Sequence, residues 1–205
     1  MPGAGLLSAW GRKEVNRQLE AAWEIHLFLT ARHIPYMIIG GLAVQYWGEP
    51  RFTRDVGVTA AVPAEKLESF VQDLKGQFEP RVSDLMEFAR RTRVLPIKAS
   101  NGCEMDISLS VAGYEEEALK RAVEYEIEPG RKIYLCSAED LIIHKAVAGR
   151  PRDLQDIEGV IYRQGDRLDV DYIRFWLKEF AVALEEPELS ERFEKPWRRW
   201  QESIR

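Results

Sequence analysis

Three short stretches of this chain carry side chains suited to chemistry on phosphates. Gly40-Gly41 follows the apolar run Tyr36–Ile39 and precedes the helix-like Leu42–Trp47. Two glycines at a strand-to-helix turn let the backbone approach a ligand closely, and the following helix presents free N–H groups, so the turn reads as a phosphate seat. In Arg54–Thr59, Val56 and Val58 alternate with Asp55 and Gly57, which turns the valines to one side and the acidic position to the other. In Cys103–Ser110, Met105, Ile107 and Leu109 face one way and Glu104, Asp106 and Ser108 the other. Carboxylates on neighbouring strands that turn away from the core could converge on Mg²⁺, a hard cation that takes oxygen ligands. A metal and a triphosphate together equip a site for phosphoryl or nucleotidyl transfer.

Elements of definite type must position these residues. Val15, Leu19, Ala22 and Ile25 recur at helical steps and predict an amphipathic helix over about 12–32. Tyr36–Ile39 predicts a strand buried on both faces. Pro63 opens a helix to about Lys75, and Ser83–Arg91 predicts a short one. Arg93–Ala99 and Cys103–Ser110 form a hairpin around Asn101-Gly102, a strong turn signal. A helix to about Arg121 and two short strands, 124–128 and 132–136, follow. From Ser137 onward the pattern is helical. Ser137 with Asp140 makes a near capping box, Gly149 stops one helix and Pro151 starts the next, and helices over 170–184 and 189–203 complete the chain. The expected class is α/β (α+β): a short mixed sheet flanked by helices over 1–136, then a helical region over 137–205 that packs on it.

Composition narrows the function classes. The 205 residues are 45% apolar and 31% charged, which suits a globular chain and excludes a disordered or fibrous one. With 29 basic and 34 acidic side chains, the net charge of −5 argues against a non-specific nucleic-acid coat, while leaving room for a local basic groove. Cys103 and Cys136 are too few for a disulfide framework and read as buried free thiols in a reducing compartment. The longest apolar stretch, Ile34–Trp47, is broken by Pro35, Gly40 and Gly41, against the roughly 20 residues a membrane span needs. Met1–Leu7 lacks the order of a signal peptide. A cytoplasmic protein is expected.

The joint occurrence of "GGLAVQYWGEPRFTRDV" and "SAEDLIIHKAVAGRPRDLQDI", with the Asp106 strand between them, resembles the polymerase-β-type nucleotidyltransferase superfamily. The nearer likeness is to its small AbiEii-like, minimal nucleotidyltransferase group. This resemblance implies a nucleotidyltransferase fold whose helical C-terminal region walls the cleft. It implies Mg²⁺- or Mn²⁺-dependent transfer of a nucleotidyl group from an NTP to a hydroxyl of a protein or tRNA. A toxin–antitoxin or phage-defence setting, with a cognate partner, is implied as well. Carried over residue by residue, Gly40 and Gly41 match the phosphate-cradling turn and Asp55 the first metal carboxylate. Asp106 resembles the third carboxylate, Lys145 matches a lysine that meets the triphosphate, and Asp153 matches a polar position of the same cleft. Asp156 is a weaker match. One departure stands out: Gly57 occupies the place of the second Asp of the Asp-x-Asp motif.

Each residue also has a plainer role open to it. Gly40-Gly41 could serve close strand–helix packing. Asp55 could pair with Arg51 or Arg54, and Asp106 could simply face solvent. Lys145 could be a surface lysine, and Asp156 could pair with Arg152 on the surface. His144 reads as a satisfied structural histidine, and Trp176, Trp197 and Trp200 as packing anchors. Arg90, Arg91, Arg93 and Lys98 form either a solvated face or a contact for RNA or a triphosphate acceptor. At the level of the whole chain, the rivals are a non-catalytic nucleotide- or partner-binding module, favoured by Gly57, and a phosphoryl transferase of kinase type.

Overall fold

A computed structural model of the chain describes residues 9–111 and 113–204, with side chains from residue 17. Met1–Leu7 and the Val15 side chain therefore lie outside the described residues. In chain order the elements are α1 (Ala9–Thr30), β1 (Tyr36–Ile39), α2 (Gly41–Trp47), β2 (Asp55–Ala60), α3 (Leu67–Gln77), β3 (Glu79–Pro80), α4 (Leu85–Thr92), β4 (Val94–Lys98) and β5 (Glu104–Leu109). They continue with α5 (Tyr114–Lys120), β6 (Val123–Glu128), β7 (Arg131–Leu135), α6 (Ala138–Ala148), α7 (Pro151–Gln164), α8 (Val170–Ala183) and α9 (Glu191–Ser203). The predicted elements recur at nearly the predicted bounds. Among the described residues the additions are β3, a two-residue strand, and a 3-10 turn at Gly165–Arg167.

The strands form one mixed sheet in the order β3-β4-β5-β2-β1-β7-β6. β2 and β5 run parallel, while β4 is antiparallel to both β5 and β3. Alternation decides which side chains are covered. Val56, Val58, Met105 and Ile107 are fully buried, whereas Asp55 and Glu104 are exposed and Asp106 is half-buried. Gly102, at φ +74°, makes the turn of the β4–β5 hairpin, where its N–H donates to the Ala99 carbonyl.

The chain falls into two compact units, each assembled from separate stretches. The first comprises Met1–Ile38, Phe52–Ser110 and Glu124–Tyr134, and holds most of the sheet with α1, α3 and α4. Its core includes Ile25, Phe28, Leu29, Met37, Leu74 and Ile97. The second comprises Ile39–Arg51, Val111–Val123 and Leu135–Arg205, and is helical.

In the second unit Ser137 caps α6 and also binds the Asp140 carboxylate. Its Oγ accepts from the Asp140 N–H at 3.0 Å and donates to Asp140 Oδ2 at 2.6 Å. Asp140 is completely buried, and Tyr172 also donates to it, at 2.9 Å. Gly149 ends α6 at φ +62°, a backbone angle that favours glycine, and Pro151 begins α7 in its first turn. Trp197 is buried and stacks between Phe193 and Trp200, and Trp176 packs against Tyr114 and Phe180, so all three C-terminal tryptophans act as packing anchors. Cys103 and Cys136 are free and buried. Among the described residues no helix is long and apolar enough to cross a membrane.

Candidate functional site

In the first unit, β2 and β5 bring the acidic residues onto one sheet face. Their parallel register pairs Asp55 with Glu104 and Gly57 with Asp106, so all four positions share the face opposite the buried valines and methionine. The antiparallel partners extend this into two rows across the sheet. One row runs Gly57, Asp106, Pro96 and then Arg81, whose N–H donates to the Pro96 carbonyl at 3.0 Å. The other runs Asp55, Glu104, Lys98 and Glu79.

Asp55 is steadied from α1. Gln18, buried, donates to the Thr53 carbonyl at 2.7 Å, and the Thr53 hydroxyl donates to Asp55 Oδ1 at 3.0 Å. On the other strand, Arg81 Nη1 lies 2.8 Å from Asp106 Oδ1 and its Nη2 lies 3.2 Å from Glu104 Oε2. Arg81 carried no sequence signal. It reaches this face only because β3 pairs with β4.

The acidic side chains of this face offer carboxylate oxygens, the donors a hard cation prefers. A positively charged group already rests among them, the Arg81 guanidinium. The residues therefore fit a divalent ion by chemistry and charge. Among the described residues, no three His, Cys, Asp or Glu side chains converge as a ready cluster.

The second unit holds the other predicted residues. Gly40 precedes α2 at φ +71° with open space where a Cβ would point, so this turn is not explained by close packing on the Gly40 side. Lys145 is not a surface lysine. It is 7% exposed, and its Nζ lies 2.7 Å from Asp153 Oδ1 and 2.8 Å from Asp156 Oδ2. Asp153 and Asp156 come from the first turns of α7, three residues apart and so on one face of the helix.

Both carboxylates have a second cation. Arg150 Nε reaches Asp153 at 2.6 Å, and Arg51 grips both oxygens of Asp156, at 2.6 and 2.7 Å. The result is a ladder of alternating charge: Arg150, Asp153, Lys145, Asp156, Arg51. Burial alone would raise the pKa of each carboxyl, but hydrogen bonds from Lys145 with Arg150, and from Arg51 with Lys145, hold both below the usual value. Asp156, at 4% exposed, is a buried member of this ladder, contrary to the surface reading.

Two other expectations change. His144 is not satisfied: among the described residues its buried Nε2 has no hydrogen-bond partner, and burial lowers its pKa. The basic cluster is partly structural, because Arg93 donates to the carbonyls of Leu109 and Ser110 and Lys98 pairs with Glu79.

The model of a family described as "Nucleotidyltransferase of unknown function (DUF6036)" matches residues 18–205. The chain belongs to this nucleotidyltransferase family. Among solved structures, this nucleotidyltransferase-family chain is similar to the solution structure of the antibiotic-resistance factor ANT(2'')-Ia, at 16% identity and a TM-score of 0.52. That match covers 89% of this chain and 98% of that one, and shows a shared fold. Lincomycin-bound lincosamide antibiotic adenylyltransferase LnuA matches at 14% identity and a TM-score of 0.49, over 69% of this chain and 94% of that one. JHP933 from Helicobacter pylori matches at 13% identity and 0.48, over 97% of each chain. No curated protein matches.

Proposed function

We propose that this chain transfers a nucleotidyl group from an NTP to a hydroxyl of a protein or tRNA, with Mg²⁺ or Mn²⁺. The observation that carries this reading is the placement of Asp55 and Asp106 on one face of adjacent parallel strands, in a chain of a nucleotidyltransferase family. In this reading Asp55 and Asp106 hold the ion, which when bound neutralises charge on the phosphates. Gly40 and Gly41 seat the phosphates. Lys145 and Asp153 belong to a ladder with three cations against two carboxylates, whose surplus positive charge suits a departing pyrophosphate.

The acceptor oxygen bonds to the α-phosphorus as the bond to the bridging oxygen of the β-phosphate breaks. Asp106 takes the hydroxyl proton, and pyrophosphate leaves. The AbiEii-like likeness supports a toxin–antitoxin or phage-defence setting with a cognate partner, and the free, buried thiols of Cys103 and Cys136 support a cytoplasmic location.

A second reading is favoured by Gly57, which leaves Asp106 without a carboxylate at its register position on β2: a non-catalytic nucleotide- or partner-binding module. Transfer from α- and γ-labelled NTPs, with Mg²⁺ or Mn²⁺, on the native chain and on Gly57→Asp, separates the two. α-Label transfer by both proteins supports the enzyme. Transfer by Gly57→Asp alone marks a disabled site on a competent scaffold, γ-label transfer marks a phosphoryl transferase, and no transfer and no calorimetric NTP binding by either protein refutes the proposal.

A further inference from the structure

We propose that Arg81 is a displaceable internal cation on the carboxylate face, and that a divalent ion binds there by taking Asp106 and Glu104 from it. The inference deepens the metal clause of the function proposed above and rests on it. Arg81 stands at the end of the row Gly57, Asp106, Pro96, Arg81, where its own N–H is fixed to the Pro96 carbonyl. Proline at position 96 raises no long side chain between them, so the guanidinium spans β4 and forks onto two acids of β5. Two of the three carboxylates contributed by β2 and β5 are thereby held by a resident positive charge, and Asp55 is the one it does not hold.

The grip suits release rather than permanent closure. The Arg81 side chain is 26% exposed, against 42% for Asp106 and 52% for Glu104, and ion pairs this open to water are weak. Arg81 is attached by its backbone to β4 and by its side chain to β5, so the side chain can swing away while the strand pairing stays. Its departure leaves like charges side by side, a state that a divalent ion stabilises. Arg81 is thus a positioning residue, one that sets the ion concentration at which the face fills.

The test is Mn²⁺ binding, read from the paramagnetic resonance of the free ion, on the native chain, Arg81→Met, Arg81→Lys and Asp106→Asn. A second readout is the Arg81 side-chain nitrogen resonance during a Mg²⁺ titration. Arg81→Met is expected to bind Mn²⁺ about tenfold more tightly, the size set by one lost neighbouring charge at the surface. Arg81→Lys, which keeps the charge but not the fork, falls between, and its measurement stands if the methionine variant does not fold. The Arg81 resonance shifts on saturation in the native chain, and Asp106→Asn loses binding. Equal Mn²⁺ affinity in all three forms at position 81, or an Arg81 resonance unmoved at saturation, overturns the displacement while leaving the metal reading in place. No Mn²⁺ binding by any form overturns the metal reading, and the displacement with it.

Discussion

Gly57 and Asp106 are register partners on the parallel strands β2 and β5. Position 57, which the proposed function reads as the place of a second acid, is therefore the direct neighbour of Asp106 on the same sheet face. Asp55 has a different neighbour, Glu104. No carboxylate stands beside Asp106 on β2 at position 57: Glu104 stands one row away and shares Arg81 with Asp106.

Gly57→Asp is expected to set two like charges side by side and lower stability by about 0.5–1 kcal/mol without metal. Millimolar Mg²⁺ should recover that loss in a thermal melt. A variant whose melting temperature is indifferent to Mg²⁺ would show that position 57 does not face the ion.

Lys145→Met should be far more costly than a surface substitution. It leaves two buried carboxylates with one cation each, which puts the loss near the lower end of the range for a broken buried pair, about 3 kcal/mol. Urea unfolding measures it, and a loss below about 1 kcal/mol would place Lys145 outside any structural role.

Acid should weaken the fold through the same ladder. Asp153 and Asp156 have folded pKa values below the ordinary 3.8, so below about that pH the unfolded chain takes up protons that the folded chain refuses. The stability they contribute is complete well above pH 4 and is lost as pH falls through the lowered values. Urea midpoints at pH 6 and pH 3 should differ less in an Asp153→Asn, Asp156→Asn double variant than in the native chain. An unchanged difference would place the acid sensitivity elsewhere.

Ser137→Ala removes a helix cap and one donor to a completely buried acid. A loss of about 2 kcal/mol is expected, or roughly 4–8 °C in melting temperature. Differential scanning calorimetry tests it. A shift under about 1 °C would mean that Tyr172 and Arg121 suffice for Asp140.

Local patterns made most of this structure legible. Alternation alone predicts that Asp55 and Asp106 turn away from the core, and Asn101-Gly102 predicts the hairpin that carries Asp106. Register was not legible, because which residue of β2 lies beside which of β5 is decided by packing between strands far apart in sequence. Arg81 was invisible for the same reason, since a two-residue strand ending in proline has no period to detect. The ladder was half visible. The resemblance singled out Lys145 and Asp153, whereas the spacing of Arg152 and Asp156 pointed to a surface pair, and nothing local announced that Arg51 would bind Asp156 from a loop more than a hundred residues earlier.

The charge ladder ends in arginine on both sides, and Arg150 leaves 74% of its side chain in water. A visiting polyanion could borrow that outermost guanidinium while Asp153 keeps its bond to Lys145. The interior would then register the guest as a change of partner at its rim, with no buried acid stranded.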